Sequence, residues 1–235
     1  QAAFMKTESE ATELAQSMVR VAQGLGIKTL AQITDMNQPI GTHIGNALEV
    51  IESVHVLNGN GPQDTINLVA MQGGALLWLL GRCENEEEGR RLIIESLNDG
   101  RAAKKFLQMC IAQGASQSVA EELLHSPKDV LAKASHITEI ESSGNGWVES
   151  IDSMVLAQIA REHGAGRFAI EDEIDPAVGF ILSAVKGDPI QLGQKWIEFH
   201  HNKPMNDTQR KNLTNALTVA ATQTQPIERL IKVVQ

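Results

Sequence analysis

The chain has 235 residues, 42% of them hydrophobic, and a formal net charge of −9 at pH 7. Its length allows one large domain or two small ones with a sizeable buried core. The negative charge disfavours a nucleic-acid-binding surface, which needs clustered lysine and arginine. A membrane span needs about 18 consecutive apolar residues, and the sequence has no apolar run of that length. We therefore expect a globular protein that binds neither nucleic acid nor membranes.

The first predicted elements alternate between helix and strand. Residues 7–10, Thr-Glu-Ser-Glu, form a capping-box pattern that predicts the start of a helix. Its predicted buried stripe consists of Ala11, Leu14, Ala15, Met18, Ala22 and Leu25. Residues 28–34 predict a strand, and a second helix ends at Asn58-Gly59. The apolar face of this second helix consists of Ile44, Ala47, Leu48, Ile51 and Val54. The alternation predicts a parallel or mixed sheet.

A polar loop, residues 34–41, separates that strand from the second helix. Asp35, Asn37 and Gly41 favour turns, and Pro39 prevents a helix from starting early. Loops between the carboxyl end of a strand and a helix are where α/β proteins bind ligands. The pattern alone fits either a ligand-binding loop or an ordinary connection.

A helical region follows. The predicted helices cover residues 64–80, 86–97, 102–112 and 118–124. The first of them is apolar on nearly all sides and is therefore expected to be buried. Gly73 and Gly74 lie within it and cost about 1 kcal/mol each relative to alanine. Either a neighbouring backbone approaches closely at these glycines or the helix has a local kink.

The pattern changes to short strands from about residue 133. The predicted strands are 136–140, one that starts at 147, 178–185, 190–192, 196–199 and 231–234, and the predicted helices are 151–163 and 207–222. The shift in composition predicts a boundary near residue 130, which divides the chain into residues 1–130 and 131–235. The second part is expected to be a small α+β portion with a hairpin-rich sheet.

Several motifs resemble one known family. T-D-M-N-Q-P-I-G at residues 34–41, followed by G-N-A-L-E-V-I-E at residues 45–52, is similar to the signature loop and helix of thymidine and pyrimidine-nucleoside phosphorylases. Further similar segments are Ala3-Phe4-Met5 and residues 73–78, 98–100, 163–167 and 172–179. The resemblance spans nearly the whole chain. Because residues 3–5 look like the end of a longer family motif, we expect a carboxyl-terminal fragment of a longer enzyme.

The resemblance implies an α/β fold class. Residues 1–130 would be the carboxyl-terminal part of a mixed-sheet α/β domain with a helical region. Residues 131–235 would be the family's carboxyl-terminal α+β domain, which is hairpin-rich and similar to barrel-sandwich folds.

The resemblance also implies an activity, the reversible phosphorolysis of thymidine or uridine to the base and (deoxy)ribose 1-phosphate. Phosphate would be the co-substrate, no organic cofactor would be needed, and the complete enzyme would be a cytoplasmic homodimer. The family's catalytic and phosphate-binding residues lie upstream, so we expect no catalytic residue here and an inactive chain when it stands alone. The alternatives are a non-catalytic binding or assembly module on the same scaffold and a relative of anthranilate-type phosphoribosyltransferases. The strand-rich second part argues against the latter.

Four residues are candidate ligand contacts by this resemblance. Phe4 would pack against the pyrimidine base, which a flat apolar ring covers well; a core phenylalanine is the alternative. The backbone carbonyls of Ile40 and His43 and the side chain of Glu52 would bind a potassium ion. Hard cations take oxygen ligands, although Glu52 could equally be a solvated helix carboxylate.

Other polar residues predict no site. The seven histidines lack a metal-binding spacing, and Cys83 and Cys110 are expected to be reduced, structural residues of a cytosolic protein. Residues 164–167 are expected to form a turn at a helix end rather than a phosphate loop. Lys186 is expected to be a solvated turn residue.

Overall fold

The computed structural model describes residues 5–235, and Phe4 therefore lies outside the described part of the chain. The first helix, α1, spans Glu8–Gly24 and begins with the predicted capping box. The Glu10 amide donates to Thr7 Oγ1 over 3.2 Å, and the Thr7 amide donates to Glu10 Oε2 over 3.1 Å. These two bonds satisfy amides that the first helical turn cannot pair internally.

The predicted buried stripe of α1 is largely wrong. Ala15 is buried, but Leu14 is 43% exposed, Met18 62% and Leu25 72%. The helix packs through Ala15 and Val19 onto a narrow two-stranded ribbon at Val234. A ribbon of two strands is too narrow to cover an apolar helix face as wide as this one.

That ribbon joins distant parts of the chain. Strand β1, Ala31–Thr34, pairs antiparallel with the last strand, Leu230–Val234, in a register that places Ala31 opposite Val234. A strand at the end of the chain was expected, but its pairing with β1 was not. All strand pairs described in residues 5–235 are antiparallel. The alternation of neighbouring elements predicted a parallel or mixed sheet because it carries no information about a partner some 200 residues away.

The helices predicted up to residue 124 are present. After the short strand β2, His43–Ile44, come α2, Asn46–Leu57; α3, Gln63–Leu79; α4, Glu86–Asn98; α5, Arg101–Ala112; α6, Gln117–His125; and α7, Pro127–Val130. The predicted apolar face of α2 is buried from Ala47 to Val54. Helix α3 is not buried all round, however, because α4 covers one face and leaves Val69 and Leu76 exposed.

Helices α3 and α4 approach each other at two glycines. A Cβ atom at Gly89 would lie 2.4 Å from the Gly74 carbonyl oxygen, and one at Gly74 would lie 2.6 Å from the Arg90 nitrogen. The close backbone approach considered for Gly73-Gly74 is therefore present at Gly74. The two helices can pack this closely only because glycine has no side chain.

The second half consists of antiparallel sheets and two helices. Its elements are β3, His136–Glu141; β4, Gly146–Ile151; α8, Ser153–Glu162; β5, Gly179–Leu182; β6, Pro189–Ile190; β7, Lys195–His201; α9, Asp207–Asn215; β8, Leu217–Ala220; and β9, Leu230–Val234. One sheet has the order β2-β5-β7-β3, and another the order β6-β4-β8. Their inner faces enclose the largest buried side chains, Trp196, Phe180 and Phe199.

Two local predictions in this half are corrected. The successive strands β3 and β4 do not form one of the hairpins expected in this sheet, since β3 pairs with β7 and β4 with β6 and β8. The helix predicted over residues 207–222 ends at Asn215, and β8 follows as a strand beside β4, with Leu217 opposite Ile151. The free edge of β4 offers hydrogen-bond partners to the backbone of β8. This strand pairing outweighs the helical pattern of the sequence.

The two halves share a sheet. Strand β2 pairs with β5 through His43–Ile181 and Ile44–Phe180. The boundary predicted near residue 130 falls between α7 and β3. Within residues 5–235, no helix combines the length and apolar character needed to cross a membrane.

Gly89→Ala should destabilise the protein by about 1–3 kcal/mol, because the added methyl group collides with the α3 backbone. Gly24→Ala is the matched control. Apart from its chain neighbours and the backbone of its own helix, no atom lies within 4 Å of a Cβ there, so this variant should be as stable as wild type or, because alanine favours the helix, up to about 1 kcal/mol more stable. Urea denaturation of both variants measures the difference, and equal stabilities would contradict the close helix contact.

Candidate functional site

The candidate site is built around residues 35–43, which we call the site loop. It begins where the β1–β9 ribbon ends, since Thr34 pairs with Leu230 and the Asp35 amide donates to the Arg229 carbonyl over 2.8 Å. It ends in β2, which belongs to the sheet of the second half. The loop therefore lies where both halves of the described chain meet.

Glu52 holds the carboxyl end of the loop. It lies in α2 and is only 6% exposed. Its Oε1 accepts from the amide of Thr42 over 2.6 Å, from the Thr42 hydroxyl over 2.9 Å and from the His43 amide over 3.1 Å, and it lies 3.3 Å from His43 Nδ1. Glu52 is thus a buried, hydrogen-bonded carboxylate rather than a solvated one.

Gly41 lets the loop pass over this carboxylate. Its φ is +67°, and a Cβ atom there would lie 2.1 Å from Glu52 Oε2. Glycine tolerates both the left-handed backbone conformation and a position that has no space for a Cβ atom. The turn predicted at this position therefore brings the backbone directly against Glu52.

The surroundings of Glu52 stabilise its charge. Burial alone would raise the pKa of the Glu52 carboxyl, but hydrogen bonds from His43 and from the amide and hydroxyl of Thr42 outweigh burial and lower the pKa below its ordinary value. The side chain is consequently ionised at neutral pH. It places a negative charge beneath the site loop.

Two residues that sequence reasoning missed hold the other end of the loop. Asp64, in the first turn of α3, accepts from the Gly41 amide over 3.1 Å and from Arg229 Nη2 over 2.9 Å. Arg229 is 6% exposed, and its Nη1 donates to the carbonyls of Asp35 and Gln38 over 3.2 and 3.1 Å. Its Nη2 also donates to the Pro39 carbonyl. The contacts of Arg229 span 165 to 194 residues in sequence, which explains why no local pattern revealed them.

The loop is also attached to β4 and α8. The buried side chain of Gln38 accepts from the Ile151 amide over 2.8 Å, and the Ser153 hydroxyl donates to the Asn37 carbonyl over 3.3 Å. A cavity of about 280 Å³ lies at this junction. A second one, of about 390 Å³, lies between Pro39, the start of α3 and the Arg229 segment.

Of the three residues predicted to bind the cation, His43 and Glu52 are in contact, through the amide and ring nitrogen of His43 rather than through its carbonyl. Ile40 precedes Gly41 in the same loop, and its side chain is exposed. Among residues 5–235, no group of three or more His, Cys, Asp or Glu side chains has an arrangement suited to a metal ion. The potassium site therefore stays a prediction that depends on backbone carbonyls.

The other polar residues lie away from the loop or at its margin. Residues 164–167 form the expected turn after α8, where the Ala165 amide donates to the Ala160 carbonyl. Cys83 and Cys110 are free thiols. Lys186 is half-buried beside the larger cavity rather than fully solvated.

Comparisons with known proteins define the class of this fold. Residues 1–103 match the family described as "Glycosyl transferase family, a/b domain", and residues 147–220 match "Pyrimidine nucleoside phosphorylase C-terminal domain". A mixed α/β chain is thus confirmed, with a helical region followed by a small antiparallel-sheet portion. The second match favours the phosphorylase interpretation over a relative of anthranilate-type phosphoribosyltransferases.

Individual relatives agree with these matches. The pyrimidine-nucleoside phosphorylases of Staphylococcus aureus strains USA300 and NCTC 8325 are each 37% identical over 218 residues, which cover 93% of this chain and 49% of the relative. The one from the bovine strain RF122 is 36% identical over the same length. The chain spans about half the length of these curated relatives. The chain is thus similar to pyrimidine-nucleoside phosphorylases over nearly its whole length, which confirms the resemblance that the motifs indicated.

Glu52→Gln should destabilise the protein by about 1–3 kcal/mol at pH 7, because the buried acceptor loses its charge. The lowered pKa of Glu52 means that its ionised form stabilises the fold above the pKa of the unfolded chain. That contribution is lost as the pH falls from about 4.3 through the lower folded-state pKa. The stability gap between wild type and variant should therefore shrink at acidic pH.

Urea denaturation at pH 7 and at acidic pH measures this gap. Glu122→Gln, at an exposed position on α6, is the control and should change little at either pH. A gap for Glu52→Gln that does not depend on pH would show that the charge of Glu52 does not stabilise the loop.

Proposed function

We propose that the protein of which this chain is part is a pyrimidine-nucleoside phosphorylase, a pentosyltransferase that uses thymidine or uridine and inorganic phosphate. The observation that supports this proposal is the match to relatives of that name over 93% of the chain. A phosphate oxygen attacks C1′ of the pentose, the C1′–N bond to the base breaks, and the base leaves with the bonding electrons and takes up a proton. The products are the free pyrimidine and the pentose 1-phosphate.

The described residues support this reaction without performing it. Breaking a glycosidic bond develops positive charge on the sugar, and a rigid polar environment must be placed against it. The site loop belongs to a framework that could hold such an environment in place, because both of its ends are tied to buried charged residues. We assign no catalytic residue in this chain. Phe4 is proposed to pack against the pyrimidine, and the complete protein is proposed to be a cytoplasmic homodimer.

A potassium ion bound by Glu52 and by the carbonyls of Ile40 and His43 is part of the proposal. In residues 5–235, the hydrogen bonds to the Glu52 carboxylate all go to Oε1, which leaves Oε2 available to a cation. The Leu182 amide donates to the Thr42 carbonyl over 2.7 Å. Since the backbone groups of adjacent residues in an antiparallel strand point to opposite sides, the His43 carbonyl points away from β5. Its amide also points that way, toward Glu52.

Base release by the complete protein should require phosphate. Thymidine and uridine are incubated with and without phosphate, and free base and pentose 1-phosphate are quantified by chromatography. Equal amounts of both products are expected, and only when phosphate is present. Base release without phosphate would indicate a hydrolase, and no release under either condition would favour a non-catalytic binding module.

Glu52→Gln should raise the potassium concentration needed for half-maximal phosphorolysis by about tenfold or more, because the site loses its one negative charge. Activity is titrated with potassium chloride at a fixed ionic strength set with tetramethylammonium chloride. Glu122→Gln, which keeps the site intact, should follow the wild-type curve. An unchanged titration in Glu52→Gln, or a wild-type enzyme indifferent to potassium, would contradict the cation site.

A further inference from the structure

We propose that Asp64 and Arg229 form a positioning pair that orients the Ile40 carbonyl and thereby sets how tightly the site loop holds its cation. This inference rests on the proposed function and adds two residues to it. Neither residue is a proposed cation ligand. Their effect is carried by the backbone between them and the ligands.

The orientation of the Ile40 carbonyl follows from one hydrogen bond. The Gly41 amide donates to Asp64 Oδ2 over 3.1 Å. That amide belongs to the same peptide unit as the Ile40 carbonyl, and the described chain contains no cis peptide bond. In a planar trans peptide, the N–H and C=O point in opposite directions. Fixing the Gly41 amide on Asp64 therefore turns the Ile40 carbonyl away from Asp64.

Arg229 fixes Asp64 and the preceding residues of the loop. Its Nη2 lies 2.9 Å from Asp64 Oδ2, the same oxygen that accepts from Gly41. The same guanidinium donates to the carbonyls of Asp35, Gln38 and Pro39. These three carbonyls are thereby directed toward Arg229. The Ile40 carbonyl, one residue further along, is turned the other way by Asp64.

An arginine is needed here because its donors form a rigid planar fork. One guanidinium reaches three carbonyls and a carboxylate, whereas a lysine ammonium is a single point of charge on a flexible stem. Arg229 is buried, whereas the Asp64 side chain is 30% exposed. Loss of Asp64 would leave a buried guanidinium without its carboxylate, which is strongly unfavourable. The described residues place no second carboxylate in an ion pair with Arg229.

Strand register determines where Arg229 lies. It directly precedes β9, where Leu230 pairs with Thr34, and its carbonyl accepts from the Asp35 amide over 2.8 Å. The same ribbon thus leads into the site loop and places Arg229 in contact with that loop. A shift of one residue in this register would turn the guanidinium to the other face of the ribbon.

The test compares Arg229→Met, Arg229→Lys and Asp64→Asn with Lys232→Met in the complete protein. Lys232 is exposed and lies in β9, so its replacement makes the same charge change three residues further along the chain without touching the loop. Potassium titrations of phosphorolysis give the half-saturating concentration and the rate at saturation. Amide hydrogen exchange of residues 35–43 reports the order of the loop independently of activity.

Arg229→Met should raise the half-saturating potassium concentration by about tenfold or more, as expected for a residue that orients a ligand, and should speed amide exchange in residues 35–43. Arg229→Lys should recover only part of the loss. Lys232→Met should match wild type in both measurements. Asp64→Asn, which keeps the side-chain shape, should shift the titration in the same direction. This variant tests the pair if Arg229→Met does not fold.

Two results would overturn the inference. If wild type depends on potassium but Arg229→Met and Asp64→Asn keep its half-saturating concentration, the pair has only a structural role. If exchange in residues 35–43 is unchanged in both variants, the pair does not position the loop. A wild-type protein without phosphorolysis, or with phosphorolysis indifferent to potassium, would instead identify a failure of the proposed function.

Discussion

The site depends on the pairing of buried charge with the backbone of one loop. Amides and carbonyls in residues 35–43 cannot all pair with each other, and groups left unpaired in the interior cost free energy. Glu52 accepts from the amides of Thr42 and His43, and Arg229 donates to the carbonyls of Asp35, Gln38 and Pro39. Each charged side chain orders the loop and is stabilised by hydrogen bonds with it. The loop conformation and the burial of Glu52 and Arg229 therefore depend on each other.

The same loop joins the two halves of the chain. Beyond it, β2 enters the sheet formed by β5, β7 and β3, and Gln38 reaches the backbone of β4 at Ile151. A disturbance in the antiparallel half can therefore reach the loop through packed and hydrogen-bonded contacts. This connection gives the small second half a physical means of influencing a site whose proposed ligands lie in the first half.

Parts of the first half are only partly covered. Helix α1 exposes Met18 and Leu25, and α3 exposes Leu76. The α3–α4 contact, by contrast, is close enough to exclude a methyl group at Gly89. Tight packing and open apolar faces thus coexist within residues 5–103. The loop lies at the well-packed side, where α2 buries Leu48, Ile51 and Val54.

The sequence by itself determined the elements that local physics controls. The capping box at Thr7, the apolar face of α2, the turn at Gly41 and the family motifs of residues 34–52 were all readable because spacing and residue type act over a few positions. It also indicated Glu52 as a residue of interest, through the resemblance rather than through any pattern of charge.

Only the tertiary structure decided which distant groups meet. Asp64 and Arg229 are 165 residues apart, and nothing in the neighbourhood of either one predicts the other. The same holds for the β1–β9 ribbon and for β8, whose backbone becomes a strand because β4 offers it an edge. Whether Glu52 is solvated or buried was equally open, since burial depends on what covers a side chain. The hydrogen-bond partners of backbone groups and the burial of side chains are properties of the whole fold, and local sequence cannot specify them.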